Sequence, residues 1–204
     1  MTPSFFKFGW GPTPSRLSNG AQRPAYARGF AVVLCLLLVG VVSLAAGAGA
    51  PDLFAPTGPA GVLFFVASDC PISNGYAPEI QRICDDYRVK GVSCSLVYED
   101  VSIDEAHVRA HRDAYHYKNV TTVIDGDRAI AGRAKATITP QAVIVGRGGI
   151  VKYRGRIDNQ YAALGKPRRV VTAHDLRDAL DAVLAGRTVA HPETEAFGCF
   201  IAPR

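Results

Sequence analysis

The sequence beyond residue 60 lacks an excess of charge, an internal repeat and a low-complexity tract. Of the charged residues in this 204-residue chain, 19 basic and 17 acidic ones lie there, so that part carries a formal charge of only +2. Nucleic-acid-binding surfaces need a basic excess, and this balance does not favour one. The length accommodates one domain of ordinary size with appendages.

The basic excess of the chain lies before residue 30 and precedes an apolar stretch, Phe30–Ala50, that contains no charged residue. Residues 1–28 are rich in Pro, Gly and Ser, and we predict that they are disordered and stay in the cytoplasm. The apolar stretch is equally consistent with a signal peptide, ending in an A-x-A-like Ala46–Ala50, and with a single membrane-spanning helix. Either one delivers the rest of the chain to the extracytoplasmic (periplasmic) side of the cell envelope. Cys35 lies inside this stretch and is predicted to be inert.

The central feature of the remaining chain is the stretch Gly61–Gln81, in which a cysteine comes shortly after an apolar strand. Val62–Ala67 is unbroken and apolar, as in a strand buried on both faces. Pro71 suits the first position of a helix. Cys70 is therefore predicted at the C-terminal tip of a central strand and the start of a helix, where free N–H groups favour the thiolate. The like charge of Asp69 opposes this effect, which leaves the sign of the net pKa shift open.

Strand and helix patterns alternate along the rest of the chain. They predict an α/β domain with a mixed central β-sheet flanked by helices on both faces, spanning residues 60–186 between a linker (51–59) and a tail (187–204). The helix after the second strand is predicted to begin at a Ser102 cap, and the last helix at a Thr172–Asp175 capping box. Ile103, Ala106, Ala110, Ala114 and Tyr117 form the predicted apolar face of the former helix.

His107 and His111 have a spacing that can bind metal, but Arg109 and Arg112 beside them indicate a solvated face and no metal site.

Three landmarks occur in a recognisable order: Cys70-Pro71-Ile72-Ser73, Pro78 eight residues after the cysteine, and Thr139-Pro140 before the apolar Ala142–Val145. This pattern resembles the active site of the thioredoxin-like superfamily. The resemblance is to its redoxin branch, which includes alkyl hydroperoxide reductases, thiol-specific antioxidants and extracytoplasmic thiol-disulfide oxidoreductases. It implies a thioredoxin-like fold in which Pro140 is cis and lies close to Cys70. Thr139 and Pro140 would then face a bound extended peptide or thiol substrate.

The family position for a second cysteine is occupied by Ser73, which cannot form a disulfide but can donate a hydrogen bond to a thiolate. Cys84 is fourteen residues further along the same helix, about 20 Å away, so it cannot bridge to Cys70. We interpret Cys84 as a core residue, with a structural bridge to Cys94 as the alternative. Cys199 in the tail is the leading candidate for the resolving thiol of Cys70; a free thiol or pairing between chains are the other options.

The predicted function is an extracytoplasmic thiol-disulfide oxidoreductase that uses Cys70, Ser73 and Cys199 without a cofactor. Its partners would be thiol or disulfide proteins, small thiols or peroxides, and the membrane if Phe30–Ala50 is not cleaved. A peroxiredoxin-like peroxidase is an alternative, although Ala67 occupies the position of that family's threonine. A Sco-type copper chaperone ranks lower because Asn74 replaces its second cysteine, and a non-catalytic thioredoxin-like binding module is the last alternative.

Overall fold

A computed structural model describes residues 52–202, in which a five-stranded mixed sheet forms the centre. Its strands are β1 (Ala60–Phe65), β2 (Ser93–Tyr98), β3 (Thr121–Ile124), β5 (Gln141–Gly146) and β6 (Val151–Gly155). They lie in the order β3-β2-β1-β5-β6, and β1 is parallel to β2 and antiparallel to β5. β2 is also parallel to β3, and β6 is antiparallel to β5.

Both faces of the central strand are covered, as its apolar sequence predicts. Every residue of β1 is buried, and its side chains alternate between two cores. One core contains Val62 and Phe64, and the other contains Leu63 and Phe65. Because β1 is central and buried on both faces, the residues directly after it are held at the C-terminal edge of the sheet.

The first helix, α1 (Pro71–Arg88), begins immediately after Cys70, which is its N-cap residue. One face of this helix is apolar and buried, and it includes Tyr76, Ile80, Ile83, Cys84 and Tyr87. This face packs into the same core as Val62 and Phe64. The packing fixes the N-terminus of α1, and with it Cys70, relative to the end of β1.

The second helix, α2 (Glu105–Ala114), differs from its prediction at the cap and on its buried face. Asp104 caps it by accepting a 2.8 Å hydrogen bond from the His107 N–H, whereas Ser102 bonds to Asp100 in the preceding turn. Its buried residues are Val108 and His111, and the three alanines of the predicted face are exposed. The predicted face was wrong for the alanines, because such small side chains are compatible with either environment, while Val108 packs into the core. It is confirmed for Tyr117, which is buried, and for Ile103, which packs against the same core.

The remaining helices are α3 (Ala129–Ala134) and α4 (Asp175–Leu184). The predicted capping box of α4 is wrong, because Thr172 exchanges hydrogen bonds with the side chain of Asn159. His174 is the N-cap residue of α4 and makes no side-chain capping bond. The buried face of α4, which includes Leu176 and Leu180, covers the same core as α1.

Short strands complete the domain. β4 (Ile138–Thr139) pairs antiparallel with β9 (Cys199–Phe200) of the tail, and β7 (Tyr161–Ala163) pairs with β8 (Lys166–Pro167). The segment predicted as a linker packs against the sheet through Phe54, which is buried in the second core. Between β4 and β5, the Thr139–Pro140 peptide bond is cis, as predicted.

The predictions of a disordered segment at 1–28 and of a signal peptide or anchor at Phe30–Ala50 lie outside the described residues. Among residues 52–202, no helix is long and apolar enough to cross a bilayer.

Cys84 and Cys94 form a disulfide that ties α1 to β2, with their Cα atoms 5.8 Å apart. Our interpretation of Cys84 as an unpaired core residue was therefore wrong, and the alternative is the arrangement found. Both cysteines are buried, so the bridge lies inside the core beneath α1. Spacing left the question open because two buried cysteines near each other can be paired or free.

Replacing both Cys84 and Cys94 with alanine should lower the free energy of unfolding by about 3 kcal/mol, because losing the bridge restores conformational entropy to the unfolded chain. The two cysteines are 10 positions apart, so the closed loop is short. Urea denaturation of the variant and of the wild type measures the difference. Reduced wild-type protein is the matched control and should lose a similar amount; equal stability with and without the bridge would contradict this role.

Candidate active site

Cys70 lies at the C-terminal edge of the sheet, between the end of β1 and the first turn of α1. Its side chain is fully buried. Its side chain makes no capping hydrogen bond, but it lies at the start of α1, where the backbone N–H groups of Ser73 and Ile72 lower the pKa of its thiol. The carbonyl oxygen of Thr139, next to the cis Pro140, lies 3.4 Å from the same sulfur.

Cys199 reaches the same point from the opposite end of the chain. In the β4–β9 pair, Thr139 is the direct partner of Cys199. The Cys199 thiol donates to the Cys70 sulfur at a distance of 2.6 Å, although the two residues are 129 positions apart. Both are free cysteines, and the distance exceeds the roughly 2.05 Å of a disulfide bond. The structure thus brings together four of the five site residues that we predicted: Cys70, Cys199, Thr139 and Pro140.

The tail fits closely against β4. A Cβ atom at Gly198 would overlap the carbonyl oxygen of Thr139, so only glycine allows this approach. The Thr139 hydroxyl donates to the Cys199 carbonyl at 3.4 Å, and the Ile201 N–H donates to the Thr137 carbonyl at 2.9 Å. These contacts fix the position of the Cys199 thiol over Cys70.

The two thiols have pKa values shifted in opposite directions. Burial raises the pKa of Cys70, but the hydrogen bond from the Cys199 thiol and the backbone N–H groups of Ser73, Cys199 and Ile72 outweigh it, so the net pKa is lowered. Burial, the hydrogen bond to Cys70 and the negative charges of Cys70, Asp69 and Glu99 raise the pKa of Cys199 to about 12. The lowered pKa favours the thiolate at Cys70, and the raised pKa favours the protonated thiol at Cys199.

Ser73, the fifth predicted site residue, is buried in the first turn of α1. Its backbone N–H is among the groups that lower the pKa of Cys70. Its hydroxyl bonds to the Ala67 N–H at 3.3 Å, which links the helix to the end of β1. This arrangement differs from the side-chain hydrogen bond to the thiolate that we predicted.

Glu99 is a buried acid near this site that the sequence analysis missed. It comes directly after the last residue of β2, and one of its carboxylate oxygens has no hydrogen-bond partner among the described residues. Burial raises its pKa to about 7, and the charge of Asp100 adds to the effect. In the sequence, an acidic residue directly after the apolar strand β2 was a signal that could have pointed to Glu99.

The prediction of a solvated His107/His111 face was wrong for His111. His111 is buried and bonds to the Tyr98 hydroxyl and to Asn74, each at 2.9 Å. Local spacing could not show this, because both partners come from other elements. Within the part of the chain that the structure describes, no group of three or more His, Cys, Asp or Glu residues could hold a metal ion.

The strand order, the cis proline beside a buried cysteine and the helix that begins at that cysteine define a thioredoxin-like fold. The mixed sheet with helices on both faces confirms the fold that the sequence resemblance implied.

No protein-family model matches the chain, and no curated protein matches it. Among solved structures, it is similar to a hypothetical protein from Sinorhizobium meliloti, with 26% identity and a TM-score of 0.62 over 71% of this chain and 79% of that one. An uncharacterised conserved protein from Geobacillus kaustophilus has 26% identity and a TM-score of 0.63 over 75% and 80%, respectively. A secreted disulfide oxidoreductase from Mycobacterium tuberculosis is more distant, with 18% identity and a TM-score of 0.44 over 64% and 84%.

Proposed function

We propose that this chain is an extracytoplasmic thiol-disulfide oxidoreductase in which Cys70 is the nucleophile and Cys199 the resolving thiol. The observation that carries the proposal is the 2.6 Å contact between these two free thiols. Their opposite pKa shifts support the assignment of roles, because the thiolate is the nucleophile in disulfide exchange.

In the first step, the Cys70 thiolate attacks one sulfur of a substrate disulfide. A bond forms between Cys70 and that sulfur, the substrate disulfide breaks, and the second substrate sulfur leaves as a thiolate. The negative charge of Cys70 is lost in this step, and with it one cause of the raised pKa of Cys199, so the Cys199 thiol can lose its proton to solvent. The products are a mixed disulfide on Cys70, one released substrate thiolate and a Cys199 thiolate.

In the second step, the Cys199 thiolate attacks the Cys70 sulfur of the mixed disulfide. A Cys70–Cys199 disulfide forms, and the remaining substrate sulfur leaves as a thiolate. The substrate disulfide gains two electrons and the cysteine pair loses them, so the exchange is balanced. The same steps in reverse oxidise a substrate dithiol.

Access to Cys70 requires movement of the tail, because the Cys70 side chain is fully buried with Cys199 against it. The β4–β9 pairing that holds Cys199 there comprises only two residue pairs, so opening it breaks few hydrogen bonds. An opened β4 edge offers backbone groups to an extended polypeptide. We therefore propose that polypeptides carrying a disulfide or a cysteine are substrates.

The Cys84–Cys94 disulfide supports the proposed compartment. Structural disulfides persist in oxidising environments such as the periplasm and are rare in the cytoplasm. Delivery by Phe30–Ala50 remains part of the proposal.

Counting the thiols that the protein releases tests the function. Reduced Cys70 and Cys199 in the full chain, mixed with an excess of a disulfide-linked peptide pair, should release two peptide thiols per chain. A cysteine acting alone would release one thiol and retain the other peptide as a mixed disulfide. Because exchange leaves the total number of thiols unchanged, the released peptides are separated from the protein before a thiol-reactive chromophore counts their thiols; no release at all would overturn the oxidoreductase assignment.

A further inference from the structure

Two histidines of α2 contact the groups that hold the turn between β1 and Cys70. His107 Nε2 lies 3.3 Å from the Ser68 hydroxyl. His111 Nε2 lies 2.9 Å from Asn74 Oδ1, and Asn74 Nδ2 donates to the Ser68 carbonyl oxygen at 2.9 Å. The pair that looked like a solvated helix face is thus directed at the segment that presents the nucleophile.

The protons of this chain of hydrogen bonds can be assigned. Asn74 donates to Ser68 through its amide nitrogen, so its Oδ1 must accept, and His111 Nε2 therefore carries a hydrogen. Burial lowers the pKa of His111, and the charge of His107 lowers it further, which favours the neutral ring. In a neutral ring with hydrogen on Nε2, Nδ1 accepts, and the Tyr98 hydroxyl donates to it at 2.9 Å.

Asn74 holds the chain on both sides of the nucleophile. Its side chain binds the Ser68 carbonyl, two residues before Cys70, and its backbone N–H donates to the Cys70 carbonyl at 3.0 Å. His111 fixes the orientation of this amide, because only one orientation places Oδ1 against the ring and Nδ2 against Ser68. The backbone N–H groups of Ile72 and Ser73, which lower the pKa of Cys70, lie in the same turn.

We propose that His111 is a positioning residue for Cys70: acting through Asn74, it holds the Ser68–Cys70 turn and thereby fixes the position of the Cys70 sulfur at the start of α1. The inference rests on the proposed function only in taking Cys70 as the reactive thiol, and it is independent of Cys199 and of any substrate. The groups that face His111 are Tyr98 from β2, Asn74 from α1, His107 from its own helix, and the rings of Tyr115 and Tyr117.

The test is the pH profile of iodoacetamide alkylation at Cys70, followed by peptide mass mapping of the full chain. All forms carry Cys199→Ser, which removes the thiol that covers Cys70. His111→Leu should raise the pKa of Cys70 by about one unit and slow alkylation about tenfold below that pKa, because the turn loses its support. His111→Gln keeps an amide N–H within reach of Asn74 and should restore the profile.

Two further variants separate positioning from simple packing. Asn74→Ala should shift the Cys70 profile as His111→Leu does, and the double variant should shift it no further, because both residues act along one path. His174→Gln, at the exposed N-cap of α4, is the matched control and should change nothing.

The proposal is overturned if His111→Leu lowers the melting temperature but leaves the Cys70 profile unchanged, or if the two single shifts add. If His111→Leu does not fold, the alkylation profile of Cys70 in Asn74→Ala tests the proposal instead. A shifted profile in a protein that releases no peptide thiols would contradict the proposed function but not this inference. Release of two peptide thiols by the wild-type chain, together with an unshifted Cys70 profile in His111→Leu, would contradict this inference but not the proposed function.

Discussion

Replacing Cys70 with serine should lower the rate of thiol-disulfide exchange by at least about a thousandfold, to the background of the free reactants. Serine retains the size and place of the side chain, but its hydroxyl ionises far too weakly to act as a nucleophile without a base. The lowered pKa of Cys70, which makes a thiolate available, is lost with the sulfur. The release of peptide thiols from a disulfide-linked pair measures the rate.

Cys35→Ser is the matched control for this variant, because we predict that the Cys35 thiol is inert. It should leave the rate of thiol release at its wild-type value. Exchange that survives in Cys70→Ser would refute the nucleophile assignment and would place the reactive thiol elsewhere in the chain.

Replacing Cys199 with serine should leave the first attack intact and block the second. Each chain should then release one peptide thiol and retain the other peptide on Cys70 as a mixed disulfide. With an external thiol at micromolar concentration, release of the second peptide should slow about a thousandfold, because a tethered thiol has an effective concentration on the order of millimolar. Mass spectrometry of the intact chain measures the retained adduct.

The matched control for Cys199→Ser is Phe200→Ala, which alters the neighbouring residue of β9. Phe200 is 85% exposed, so the loss of its side chain should not change the release of the first or of the second peptide thiol. If Cys199→Ser releases two thiols at the wild-type rate, the resolving thiol comes from another molecule and the tail has a different role.

The parts of the site that lie within one supersecondary unit could be predicted from sequence. An apolar run before Cys70 and Pro71 indicated a buried strand and a helix start, and both are present. The Thr139-Pro140 dipeptide indicated the cis bond through resemblance, and that is also confirmed. The strand and the helix start depend on short-range backbone rules, which a local pattern expresses directly.

The parts that depend on contacts between distant elements could not be predicted in the same way. The buried face of α2 depends on the elements that cover it, and His111 is buried because Tyr98 and Asn74 both offer it a partner. The Ser102 cap failed because Asp100 binds that hydroxyl in a turn, which left Asp104 to start the helix. The position of Cys199 depends on the fit of Gly198 against β4, which sequence spacing does not encode.

The most direct test of the proposed mechanism is a disulfide map of the full chain after its free thiols have reacted with the peptide disulfide. Proteolysis without reductant, followed by mass spectrometry, identifies each pair of linked cysteines. We expect a peptide that joins Cys70 to Cys199, together with the Cys84–Cys94 bridge already present. Two maps would contradict the mechanism. In one, Cys199 remains a free thiol while Cys70 retains the peptide; in the other, Cys70 is joined to a cysteine other than Cys199.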